Sequence, residues 1–290
     1  MANALALCAA LLFALAATLQ QKGAIGMGES LRSPASFVRL ARQTWWLLGS
    51  LALLGGYVCQ AVALDHGKLA VIQPLLVTTI VFALPLGYLL TGQVVNRPEI
   101  VAAVFVVIGL AVFAVVGDAA AGSDTAPGWE WAITIALLSA VAGALLFVGG
   151  RGPLAQKAGA YGACAGVLYG LSASLWKPSG SLLEADGLGG MLSSWEFWVF
   201  AAAGILAFLV QQVSLATGQL APSVAMTSVV NPLVCILVGT VVLEERLAPP
   251  TWHRALAYAG LALALVAAMA ITRATEGAKE PQEAQLAPAG

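Results

Sequence analysis

Charge is what this sequence has least of. Asp, Glu, Lys and Arg make up 9% of 290 residues, against about a quarter in an ordinary soluble domain. With 13 Lys/Arg against 14 Asp/Glu the net charge is −1, and no basic run appears, so nothing points to nucleic acid as a partner. Cysteine occurs four times, as Cys8, Cys59, Cys164 and Cys235. Each lies in an apolar run without the paired spacing of a zinc site, which leaves packing as the expected role. There is no HExxH, no P-loop and no nucleophile with its base. The chain is therefore expected to be neither an enzyme nor a self-contained ATP-driven pump, and it calls for no cofactor. No Asp, Glu, Lys, Arg or His sits deep in an apolar run, which argues against a mid-membrane carboxylate relay.

What is abundant is apolar length. Hydrophobic residues make up 60% of the chain and the mean hydropathy is +0.90. A hydrocarbon core of about 30 Å needs roughly 20 apolar residues per helix. Nine such runs can be read: Ala2–Gln20, Trp45–Leu64, Leu69–Leu90, Ile100–Val116, Trp131–Val148, Ala158–Trp176, Phe197–Ala216, Leu220–Leu243 and Ala255–Ile271. The first lacks the basic leader of a signal peptide and is longer than a usual signal core, so it reads as a span. All eight tryptophans lie at or beside span ends, where indole rings favour the headgroup layer. The expected fold is an all-α membrane protein of nine transmembrane helices, ten if residues 24–43 hide a weak one.

Nine Lys/Arg fall on one side of these spans and four on the other. The positive-inside rule puts the N-terminus outside and the C-terminus in the cytoplasm of a cell-membrane protein. Residues 273–290, rich in Glu, Gln, Ala and Pro, read as a disordered cytoplasmic tail.

Sliding the chain by 151 residues aligns QAVALDHGKLA at 60–70 with QQVSLATGQLA at 211–221. Gln60/Gln211, Gly67/Gly218 and Pro98/Pro249 agree, as do Gly109-Leu110-Ala111 and Gly260-Leu261-Ala262. Five spans separate the copies, an odd number, so they face opposite ways. Two inverted-topology repeats follow, residues 1–117 and 118–272, an arrangement typical of alternating-access transporters.

The groups available for a site are polar and uncharged. The third span carries Gln73-Pro74, Thr78 and Thr79; the eighth carries Thr227, Ser228 and Asn231-Pro232. Asn231 falls near the bilayer centre, and Pro232 frees the Ser228 carbonyl beside it. Asn231, Thr227 and Ser228 are expected to face Thr78, Thr79 and Gln73 across a central cavity, with Gln60 and Gln211 as further candidates. The competing role for all eight is interhelical hydrogen bonding, which needs no substrate. Asp65, His66, Glu244 and Glu245 lie at outer span ends, where solvation is the ordinary fate and a metal site remains open.

Taken together, these residues resemble the drug/metabolite transporter superfamily with its two EamA-type repeats. Leu243–Leu247 (LEERL) and the closing helix with Gly260 are similar to the end of such a repeat. The first half resembles the NIPA-type magnesium transporter branch through LQQKG at Leu19–Gly23, a long basic loop, Trp45-Trp46 and the stretch Gly67–Pro74. The resemblance implies a secondary transporter whose partners are the bilayer and a small metabolite or ion such as Mg²⁺, with a homodimer open. The alternative is a non-transporting membrane scaffold.

Overall fold

A computed structural model describes residues 2–25, 34–66, 75–116, 119–120, 123, 125–244, 246–247 and 251–277. The described residues form ten helices: α1 (Ala2–Ala24), α2 (Pro34–Leu40), α3 (Thr44–His66), α4 (Thr79–Thr91), α5 (Arg97–Val116), α6 (Gly128–Gly149), α7 (Leu154–Ser193), α8 (Trp195–Ala216), α9 (Leu220–Val241) and α10 (Thr251–Gly277). A two-residue antiparallel pairing joins Ala119–Ala120 to Arg246–Leu247.

Seven helices, α1, α3, α5, α6, α8, α9 and α10, are long and apolar enough to cross a membrane. Their outward faces carry large apolar side chains, such as Leu51, Leu54 and Val58 on α3, each at least 60% exposed. Contiguous apolar surface of that kind needs lipid around it. The chain is a multi-pass membrane protein. Seven of the nine expected spans fall on these helices. Of the remaining two, Leu75–Thr91 is apolar but shorter, and α7 is long but carries Lys157, Lys177, Glu184 and Asp186.

Four local expectations change. Within residues 24–43 the described helix is α2, seven residues and about 10 Å long, too short for a crossing. The segment after Trp176, expected as an outer loop, continues α7 for a total of 40 residues, with a break at Gly187, whose φ of +68° suits glycine. Trp131, near the start of α6 as expected, does not turn its ring outward: it is 1% exposed and packs with Leu138, Cys164 and Leu175. Finally, α10 runs on to Gly277, past the expected end at Ile271, while 278–290 lie outside the described residues.

The helix α9 organises the interior. Its Ala221, Ala225 and Val229, one turn apart, pack with Ile80 and Leu84 of α4, Val106 of α5 and Leu261 of α10. Val230, Val234 and Val238 pack into a second cluster with Val167 and Leu171 of α7. Close approach to α7 depends on glycine. A Cβ at Gly162 would lie 2.5 Å from the Ser223 carbonyl oxygen, and one at Gly170 would lie 2.6 Å from Val234 Cβ. Small residues let backbones approach and gain dispersion contact, which substitutes for the hydrophobic effect inside lipid.

Candidate functional site

Two polar networks run through the bundle. In the first, the Trp46 indole of α3 donates to Gln212 Oε1 on α8 (2.8 Å), and Gln212 Nε2 donates to Gln20 Oε1 on α1 (3.1 Å). An indole nitrogen can only donate, so Trp46 orients Gln212, and Gln212 orients Gln20. The Gln20 Nε2 group is left buried without a partner, although the residue is only 4% exposed. In the second network Gln211 Nε2 donates to Ser223 Oγ (3.0 Å), and the Thr227 hydroxyl lies 2.7 Å from Gln211 Oε1 and 2.9 Å from the Gly162 carbonyl. Ser214 Oγ reaches both Ser223 Oγ (2.7 Å) and the Ala158 carbonyl (2.8 Å), tying α7, α8 and α9 together.

Between α1, α3, α7 and α8 lies a cavity of about 270 Å³. Phe13, Tyr57, Tyr169 and Phe208 supply ring walls near the middle of their helices, and Gln20, Gln211 and Gln212 form its polar end. Phe13 meets Tyr57 edge-on at 5.2 Å between centroids, and Trp46 meets Phe208 likewise at 6.1 Å. The lining contains no carboxylate, Lys, Arg or His. A second cavity of similar volume sits at the helix ends, against Thr91, Gln93, Glu99, Gly218 and Gln219. There Gln93 Nε2 donates to the Gly218 carbonyl, and Glu99, 3% exposed, accepts from Asn96 N at 3.2 Å. Gln21 is wholly buried, and with its amide oxygen facing the available donors it accepts from Gln93 Nε2 and Leu220 N, both at 2.9 Å.

Of the eight residues expected at a site, the structure brings Gln211 and Thr227 into contact. Among the described residues no hydrogen bond joins the α9 polar groups to Thr78 or Thr79. Thr78 and Thr79 donate within their own segment, to the Leu75 and Leu76 carbonyls at 2.5 and 2.7 Å. Ile80, Leu84, Ala225 and Val229 fill the α4–α9 contact instead. Asn231 lies toward α7, its backbone against Gly166 and Gly170, and its Oδ1 accepts from Cys235 Sγ at 3.5 Å. Ser228 and Gln60 are half-buried on α9 and α3, and Gln73 is outside the described residues. Gly67 of the repeat motif and Glu245 are likewise outside them. Among the described residues no group of three His, Cys, Asp or Glu could hold a metal ion.

Sequence reasoning missed Gln20, Gln212 and the four rings. Two signals were available: the double glutamines at 20–21 and 211–212, and Tyr57 with Phe208, both aromatic and 151 residues apart.

No protein-family model matches the chain. An uncharacterized protein of Corynebacterium glutamicum is 29% identical over 244 residues, covering 84% of each chain. No solved structure matches.

Proposed function

We propose that the chain is a secondary transporter that carries a small solute by alternating access between two inverted halves, residues 1–117 and 118–272. In this reading it has nine spans, the N-terminus outside and the C-terminus in the cytoplasm. The observation that carries the proposal is the mid-depth cavity. It lies among α1 and α3 of one half and α7 and α8 of the other, and Tyr57 and Phe208, partners under the 151-residue shift, both line it. Carriers built from inverted repeats place their sites at mid-depth between the repeats.

The crossing of α5 and α10 supports the same relation. A Cβ on Gly109 would meet the Gly260 carbonyl and Ala264, and one on Gly260 would meet the Gly109 carbonyl and Phe113. The shift that takes Gly109 to Gly260 also takes Phe113 to Ala264, so each contact is the other with the halves exchanged. A residue touching its own counterpart is the mark of a two-fold contact. The resemblance to the drug/metabolite transporter superfamily fits this arrangement. A scaffold accounts for the packed α4–α9 contact, but it has no use for an open, ring-lined cavity between the halves.

Uptake into proteoliposomes across solute classes, Mg²⁺ included, tests the proposal. At least one class should enter faster than into empty liposomes. A monodisperse protein that moves none of them favours the scaffold. Orientation is tested separately, with the native cysteines replaced and a single cysteine placed at exposed position 35 or 186. Position 35 should be labelled only from the cytoplasm and position 186 from outside; labelling of position 35 on intact cells reverses the topology.

A further inference from the structure

We infer that the cavity at the helix ends, where α4 stops and α8 turns into α9, binds a small primary ammonium compound of single positive charge, with Glu99 as its counter-charge. The inference goes beyond the transport reading and does not depend on it. Glu99 is 3% exposed and lines the cavity. It lies three residues after Asn96, and its Oε2 accepts from the Asn96 N–H, one half of a helix-capping box. That role accounts for one oxygen. Among the described residues Oε1 has no hydrogen bond, and the lining contains no Lys, Arg or His. Arg97, two residues away, is exposed. A buried charge without a counter-charge is far more costly than a buried neutral group, so the site calls for a cation.

Gln219 supplies the second group. It is 6% exposed, and its side chain makes no hydrogen bond among the described residues. The side-chain atoms there that are both sealed off and without a partner are Gln20 Nε2 and Glu276 Oε1. The free atoms of Glu99 and Gln219 are not among them, so they keep accessible surface, and both residues line this cavity. Thr91 and Thr275 add hydroxyl oxygens to the lining. Each commits its proton to its own helix, to the Gly87 and Ile271 carbonyls at 2.6 and 2.8 Å, and is left with lone pairs. Such acceptors suit an ammonium with its three N–H donors. One carboxylate balances one positive charge, which favours a monocation over Mg²⁺. The lining has no aromatic ring, so a quaternary ammonium would lack the cage that usually holds it. A volume of about 270 Å³, against about 30 Å³ for one water, leaves room for a short carbon chain beside Leu84 and Leu220.

The test is calorimetric titration of the full chain in detergent, with protein-free micelles as the blank. The probes are propylammonium, tetramethylammonium, 1-propanol and Mg²⁺. Propylammonium should bind tightest, by about tenfold or more over each of the others. Glu99→Gln keeps the shape and the bond to Asn96 N–H but loses the charge, and should weaken propylammonium about tenfold. Gln219→Met, which removes no cap bond, should weaken it about threefold or more. Glu184→Gln, an exposed position on α7, should leave it within about twofold. Binding of another probe as tightly as propylammonium overturns the inference. So does unchanged binding by Glu99→Gln, an equal loss in Glu184→Gln, or no binding of any probe. If Glu99→Gln does not fold, the probe order on the unaltered protein and the loss in Gln219→Met decide together. Uptake assays decide the transport reading separately, whichever way this titration falls.

Discussion

Gly109→Leu should lower the stability of the folded bundle by about 3 kcal/mol or more, at the upper end of what overpacking costs. The reason is that both obstacles are backbone. A Cβ at this position on α5 would overlap the Gly260 carbonyl oxygen and lie 2.7 Å from the Ala264 nitrogen of α10. Neither can rotate away as a side chain would, so the helices must separate. Separation also strips contact from Leu110, Leu261 and Ala264, which belong to the largest buried cluster on that side. Gly143→Leu on α6 is the control. Nothing lies within 4 Å of its added Cβ, and leucine facing lipid is favourable. Its stability should stay within about 0.5 kcal/mol of the parent, the usual range for a surface change. Apparent melting temperatures in detergent measure both variants. Equal melting temperatures for the two would mean that the α5–α10 crossing is not the close contact described.

Gln212→Leu should insert normally yet fold less stably, by about 1–3 kcal/mol. Gln212 is 1% exposed and satisfies two groups at once, the Trp46 indole donor and the Gln20 acceptor. Leucine removes both partnerships. Each buried orphan costs about 1–3 kcal/mol in general, and measured interhelical bonds in membranes run nearer 0.6, reaching about 1.7. Insertion is unharmed because leucine partitions into lipid more readily than glutamine. Thr78→Val makes the comparison, since the Thr78 hydroxyl reaches only the Leu75 carbonyl in its own segment. That change should fall within about 0.5 kcal/mol. Trp46 emission adds a local reading, because it should shift in Gln212→Leu and stay unchanged in Thr78→Val. A Gln212→Leu protein as stable as the parent would show that the α1–α3–α8 network carries no stability.

Where the polar groups went explains why the site was harder to read than the helices. Thr227 was singled out for its depth, and it is indeed held in a buried network, but toward Gly162 of α7 and Gln211 of α8. Asn231 followed it to the same side. Thr78 and Thr79 turned their hydroxyls onto their own backbone, a bond that any threonine in a helix can make without a neighbour. Depth in a span can be counted along the chain. Direction cannot, because these helices are apolar nearly all round, and a helix without an amphipathic face gives no sign of which side meets which partner.

Sequence alone therefore determined the helices and their setting. The seven helices long and apolar enough to cross a membrane each lie on an apolar run with charge confined to its ends, and a helix satisfies every N–H and C=O within its own segment, as lipid demands. That is a local requirement and can be read locally. The tertiary structure decided which polar groups meet. The glycines at 162, 166 and 170 let α9 sit against α7, which drew Thr227 and Asn231 to that side, and the packing of α1, α3 and α8 aligned Gln20, Gln212 and Trp46 around an unpaired amide. Helix rotation is set by how neighbouring surfaces fit, an energy shared among residues far apart in the chain, and no single span contains it.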